Sequence, residues 1–112
     1  MHTATAKYPQ EKINQYLINQ VSASTPEQLI LKVYDFAISS CLKHDMLKTN
    51  DALQVLINSL NFEDPRAKEI SVGLLSLYIF CQNQMRKKNF QAVQKILSEL
   101  RETWQAALRK GQ

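Results

Sequence analysis

From residue 26 to about 43, apolar side chains recur at spacings of three and four: Leu29, Ile30, Val33, Tyr34, Ala37, Ile38, Cys41 and Leu42. That is the period of a helix with one buried stripe. Leu31 and Phe36 fall beside the stripe and widen it beyond what one partner helix covers. The start is marked by "TPEQ". Thr25 suits the N-cap, Pro26 the first helical position, and Gln28 completes a Thr-x-x-Gln capping box. Glu27 sets negative charge against the positive helix end.

Three further helices are expected. After "HDMLKTND", with Thr49 or Asn50 as cap, Leu53, Leu56, Ile57 and Leu60 define a second helix to about residue 60. Asp64 and Pro65 open a third, running to about residue 87. It carries Ile70, Leu74, Leu77, Tyr78, Cys81 and Met85 on one face. Gly73 lies inside it at a cost of about 1 kcal/mol relative to Ala, and we expect a packing reason for it. Asn89 is expected to cap a fourth, whose stripe is Phe90, Val93, Leu97, Leu100, Trp104 and Leu108. Short connections between long helices make sequential helices antiparallel neighbours. The expected fold is all-α: an antiparallel up-down four-helix bundle over 25–110, preceded by a polar segment, 1–24. A short amphipathic helix at 10–19 in that segment would carry Ile13, Tyr16 and Leu17, with Val21 just beyond.

Composition narrows the function. The 112 residues allow one domain with a core that needs no metal or disulfide staple. Fourteen Lys and Arg against ten Asp and Glu leave +4, a solubilising charge spread over every segment, with "RKK" at 86–88 the one cluster. That cluster falls at a helix C-terminus, where it complements the dipole. The first ten residues lack an apolar h-region, and no apolar run approaches a membrane span. We therefore expect a cytoplasmic protein with reduced cysteines and no membrane insertion.

Chemistry finds little purchase. His2 and His44 form no metal-ligating pair, and Cys41 and Cys81 match no metal or redox spacing. Each Cys falls on an apolar face, as a core filler does. Glu63 and Asp64 stand at a helix start, where capping explains them. There is no phosphate loop and no nucleophile motif. We expect no enzyme activity, no cofactor and no metal.

Several blocks carry a family likeness. Tyr16-x-x-Asn19-x-Val21, Thr25-Pro26-Glu27-Gln28-Leu29 and Val33-Tyr34-Asp35 come in order, the spacing from Tyr16 to Pro26 holding without a gap. Asn58-Ser59-Leu60, Glu69-Ile70, Leu77-Tyr78 and Leu100-Arg101-Glu102-Thr103-Trp104 follow in order. Together they resemble the FliS family of flagellar secretion chaperones, over nearly the whole chain. Two positions depart from that pattern: Phe36 stands where the family usually has Gly, and Ile79 where Asp often follows the second Leu-Tyr. The connection between the first two helices is shorter than in the family by about two heptads, and that between the last two by about one. In an up-down bundle both lie at the same end. The likeness therefore implies a shortened variant, trimmed at that end by about 10 Å.

The resemblance implies a cytoplasmic chaperone that binds the disordered C-terminal segment of flagellin. It would prevent premature polymerisation and aid delivery to the export apparatus. Candidate groove residues are Ile13, Tyr16, Leu17, Val21, Ile30, Leu31, Tyr34, Phe36, Tyr78 and Ile79, with surplus apolar surface beside the first helix. The plainer reading makes Tyr34 and Tyr78 core aromatics, and has Leu31, Phe36 and Ile79 pack permanently against the N-terminal segment. Two rival functions stand beside the chaperone. One is a basic helical nucleic-acid-binding module using Arg86, Lys87, Lys88, Arg109 and Lys110. The other is a homodimeric structural bundle. The expected partner list excludes nucleic acid and allows a monomer or weak homodimer.

Overall fold

We describe residues 25–110 of a computed structural model. The expected helix over 10–19, with Ile13, Tyr16, Leu17 and Val21, lies outside them. The described chain forms four helices: α1 (Pro26–Leu42), α2 (Met46–Asn58), α3 (Pro65–Arg86) and α4 (Phe90–Lys110). Each packs on its sequence neighbour, and α4 closes the ring against α1. Direction follows from which residues meet. Tyr34 reaches Tyr78 and Cys41 reaches Met85, so α1 and α3 run parallel across the bundle centre. Tyr34 meets Trp104 while Cys41 meets Phe90, so α1 and α4 are antiparallel. This is the expected up-down four-helix bundle.

The start of α1 forms as its residues dictate. Thr25 Oγ1 accepts from the Gln28 N–H at 3.1 Å, and Gln28 Oε1 accepts from the Thr25 N–H at 3.1 Å. Asp64 caps α3 through the Arg66 N–H at 2.9 Å, with Pro65 at the first position.

The start of α2 differs from expectation. Its cap is Asp45, whose side chain accepts from the Lys48 N–H, so the cap lies four residues before Thr49 and the helix begins at Met46. Thr49 is instead buried inside α2, its hydroxyl donating to the Asp45 carbonyl at 2.7 Å. The missed signal is a helix stop without glycine. His44 takes the left-handed conformation at φ 58°, its N–H bonds the Cys41 carbonyl, and the Asp45 N–H bonds the Ser40 carbonyl. This pair of bonds is a Schellman motif. A second one closes α3: Lys88 at φ 62°, with Lys88 N–H to Met85 and Asn89 N–H to Gln84. The Asn89 side chain donates to Gln84 Oε1 at 2.7 Å rather than accepting from the start of α4. Both motifs lie at one end of the bundle, and the His44 ring stacks on Phe90 with centroids 4.1 Å apart.

The core is Val33, Tyr34, Ala37 and Cys41 from α1, Ala52, Leu53 and Leu56 from α2, Tyr78, Cys81 and Met85 from α3, and Val93 and Leu97 from α4. Both cysteines are buried and free. Burial pushes the Cys81 thiol up to about 12, and raises that of Cys41 as well. On α3 the expected apolar face splits. Tyr78, Cys81 and Met85 enter the core, while Ile70 and Leu77 remain exposed. Ile79, Phe80 and Val72 are exposed on the same helix. Among the described residues the surplus apolar surface therefore lies mainly on α3, with Leu42 the exposed large apolar residue of α1. Gly73 has no packing reason either: a Cβ there would meet nothing within 4 Å. Among the described residues no helix is long and apolar enough to cross a membrane, and no group of His, Cys, Asp or Glu could hold a metal.

Candidate functional site

The family-like blocks converge in space. Tyr34, Tyr78 and Trp104 come from α1, α3 and α4. The two tyrosine hydroxyls share a hydrogen bond at 2.6 Å, and Trp104 Nε1–H donates to Tyr34 Oη at 3.1 Å. Asp35 and Arg101, one residue from Tyr34 and three from Trp104, form a two-pronged ion pair between α1 and α4. The pair lies near the surface, where such contacts contribute little stability but fix register. Burial raises the hydroxyl pKa of both tyrosines, so both stay neutral over the physiological range. A satisfied buried network of this kind sets one arrangement of three helices.

Above this network the bundle opens. α3 and α4 make the least extensive of the four helix contacts, and an apolar cavity of about 210 Å³ lies between them. Its walls are Ile70 and Leu74 from α3, and Leu100, Thr103, Trp104 and Ala107 from α4. None of these side chains is charged. A second cavity of about 290 Å³ shares Ile70, Leu74 and Trp104 and runs inward to Ile30, Leu60 and Tyr78. Together they form a trough at the end of the bundle away from the two Schellman turns. A larger depression of about 430 Å³ lies between the first turn of α1 and the last of α4. Its rim of Thr25, Glu27, Gln28, Gln105 and Arg109 is polar, so it suits an apolar ligand less well.

The sequence-derived candidates scatter around this trough. Ile30 is half-buried and Tyr78 is 2% exposed, and both line the inner cavity. Tyr34 is fully buried beneath it. Leu31 lines the polar depression instead. Phe36 is half-buried against the core, and Ile79 is exposed on α3 outside the trough walls. Ile13, Tyr16, Leu17 and Val21 are outside the described residues. The trough walls Ile70, Leu74, Leu100, Thr103, Trp104 and Ala107 were not among the candidates. A signal for them existed: α3 carries Ile70, Val72, Leu74, Leu75, Leu77, Ile79 and Phe80 within eleven residues, too many for one stripe.

The cations of the nucleic-acid rival do not share a face. Arg86, Lys87 and Lys88 end α3 beside the start of α4, whereas Arg109 and Lys110 end α4, about 30 Å away along a 21-residue helix.

The family model described as flagellar protein FliS matches residues 42–111. The match includes the Leu60, Leu77-Tyr78 and Leu100–Trp104 blocks, and starts after the Tyr16–Asp35 blocks. No curated protein and no solved structure matches the chain.

Proposed function

Because the chain belongs to the flagellar protein FliS family, we propose that it is a cytoplasmic flagellar export chaperone. It binds the disordered C-terminal segment of flagellin, prevents premature polymerisation, and aids delivery to the export apparatus. The supporting observation is the uncharged trough between α3 and α4, continued outward by exposed Ile70 and Leu77. Filament subunits pair through amphipathic termini, and an unassembled subunit needs those apolar faces covered. Ordering a disordered segment costs several kcal/mol, so the contact must be large and apolar. Each ~100 Å² of apolar area removed from water contributes roughly 2.5 kcal/mol before that cost.

In this reading Ile70, Leu74, Leu100 and Trp104 receive the flagellin side chains, with Ile30 and Tyr78 at the inner end. The segment with Ile13, Tyr16 and Leu17 covers part of the apolar surface in the free chaperone and moves aside on binding, and Val21 joins the flagellin contact. Leu31, Phe36 and Ile79 extend the contact outside the trough, and Tyr34 supports it from below. Co-expression with the flagellin of the same organism tests the proposal. Co-purification that is lost when the C-terminal segment of flagellin is deleted supports it. Co-purification that survives the deletion contradicts it. Hydrogen exchange tests the covering segment: Tyr16 and its neighbours should be less protected than α1, and should change on adding flagellin.

A further inference from the structure

The opposite end of the bundle has a distinct chemistry. The turn from α1 to α2 carries Lys43 and leads to Lys48; α3 ends at Arg86 and the turn to α4 carries Lys87 and Lys88. These five of the chain's fourteen Lys and Arg come from segments nearly forty residues apart. The His44–Phe90 stack and the Cys41 Sγ contact to the Phe90 carbonyl, at 3.3 Å, hold the two turns together. None of the five cations has an acidic partner among the described residues. Asp45 is the acidic group within the turns, and its side chain is engaged as the α2 cap. Between the cations protrude Leu42 and Leu47, 57% and 63% exposed, with Met46 beside them.

Helix ends explain only part of this. Arg86 in the last turn of α3 complements the dipole there. Lys48, however, stands in the first turn of α2, at the positive pole, where a cation is unfavourable. An exposed Leu47 in the same turn gains nothing from burial. Two side chains placed against local stability on one tip call for something outside the chain.

We propose that this tip docks on an anionic lipid bilayer, with Leu42, Met46 and Leu47 entering the headgroup layer inside a ring of Lys43, Lys48, Arg86, Lys87 and Lys88. Shape and composition favour this occupant. The tip is a pair of turns, and the three cavities described above, which suit an extended peptide, all lie away from it. Nucleic acid would be expected to meet exposed stacking aromatics, whereas here the protruding groups are aliphatic and Phe90 is engaged with His44. A fluid surface moulds to two adjoining turns, and cations beside apolar side chains are the combination that binds acidic headgroups. The trough stays open at the far end of the bundle while the tip is docked.

Vesicle co-flotation of the full chain tests this, comparing phosphatidylcholine vesicles containing one-third phosphatidylglycerol with phosphatidylcholine alone. Binding to the anionic vesicles only, falling with salt, is expected. Each cation near an acidic leaflet is worth about fivefold in affinity, so Lys87→Glu with Lys88→Glu should weaken binding by at least about 25-fold. Leu42→Ser with Leu47→Ser should weaken it too, at unchanged net charge. Arg109→Glu with Lys110→Glu reverses the same charge at the far end and should leave most of the binding intact. Equal loss from both charge reversals, no binding to anionic vesicles, or tighter capture by duplex DNA or poly-glutamate would each overturn the proposal. Far-ultraviolet circular dichroism of the variants separates lost binding from lost folding.

Discussion

At the end where α1 turns into α2 and α3 into α4, two Schellman motifs of matching geometry reverse the chain, and Asp45 serves both as the last residue of one motif and as the next helix cap. Cys41, Met85, Leu97 and Val93 fill the interior behind them with almost no exposure. At the other end the same helices diverge, and α3 and α4 leave the trough walled by Ile70, Leu74 and Trp104. The difference lies in α3. α4 has one stripe and can satisfy it against its neighbours. α3 is apolar around most of its circumference near Ile70 to Phe80, and no arrangement of three neighbours covers all of that. The interior is closed at one end and left open as a trough at the other.

Substitutions should separate the two ends. Leu53→Ala, in the packed interior, should cost about 2–5 kcal/mol in denaturant unfolding, because the cavity cannot close. Ile70→Ser, on the trough wall, should change stability by no more than about 0.5 kcal/mol while weakening flagellin binding. Equal stability losses at both sites would erase the distinction.

The Tyr34–Tyr78–Trp104 network divides the regions, and Tyr34→Phe should cost about 1–3 kcal/mol by stranding the Trp104 N–H. Adding Tyr78→Phe should cost less than it does alone, since its partner hydroxyl has already gone.

Alkali should act on the closed interior. The unfolded Cys81 thiol titrates near 9, whereas burial holds the folded thiol up to about 12. Its contribution to stability is therefore full below pH 9 and is lost as pH rises from 9 toward 12. Tyr34 and Tyr78, raised above 10.0, act in the same direction from 10 upward. Unfolding midpoints should hold steady from pH 7 to 9 and then fall, with buried-tyrosine absorbance changing only as the fold is lost.

The smallest effect is a gain. Gly73→Ala should stabilise α3 by about 1 kcal/mol, because open space surrounds the position and Ala has the higher helix propensity.

What could be read from the sequence follows the same division. Local signals were sufficient where local chemistry decides: the Thr25 capping box and the Asp64-Pro65 start form as their residue types require. The start of α2 was hidden because His44 takes a left-handed conformation usually marked by glycine, so an unbroken turn read as a longer gap. The trough was hidden for another reason. Period places a residue on a helix face, but how far α3 and α4 separate is set by all four helices together. Ile70 could be assigned to a stripe, and not to the part of it left open. The "RKK" cluster and the shared end of the two connections were legible, but the exposure of Leu42 and Leu47 between the cations was not.

Trp104 is the one tryptophan of the chain and forms a wall of both apolar cavities, so its fluorescence reports on the trough directly. Titrating the chaperone with a tryptophan-free peptide of the flagellin C-terminal segment should produce a saturable blue shift of its emission. Ile70→Asp should abolish that shift without unfolding the bundle. Calorimetric binding of the same peptide with Trp104 emission unmoved, or no binding at any concentration, would contradict the account.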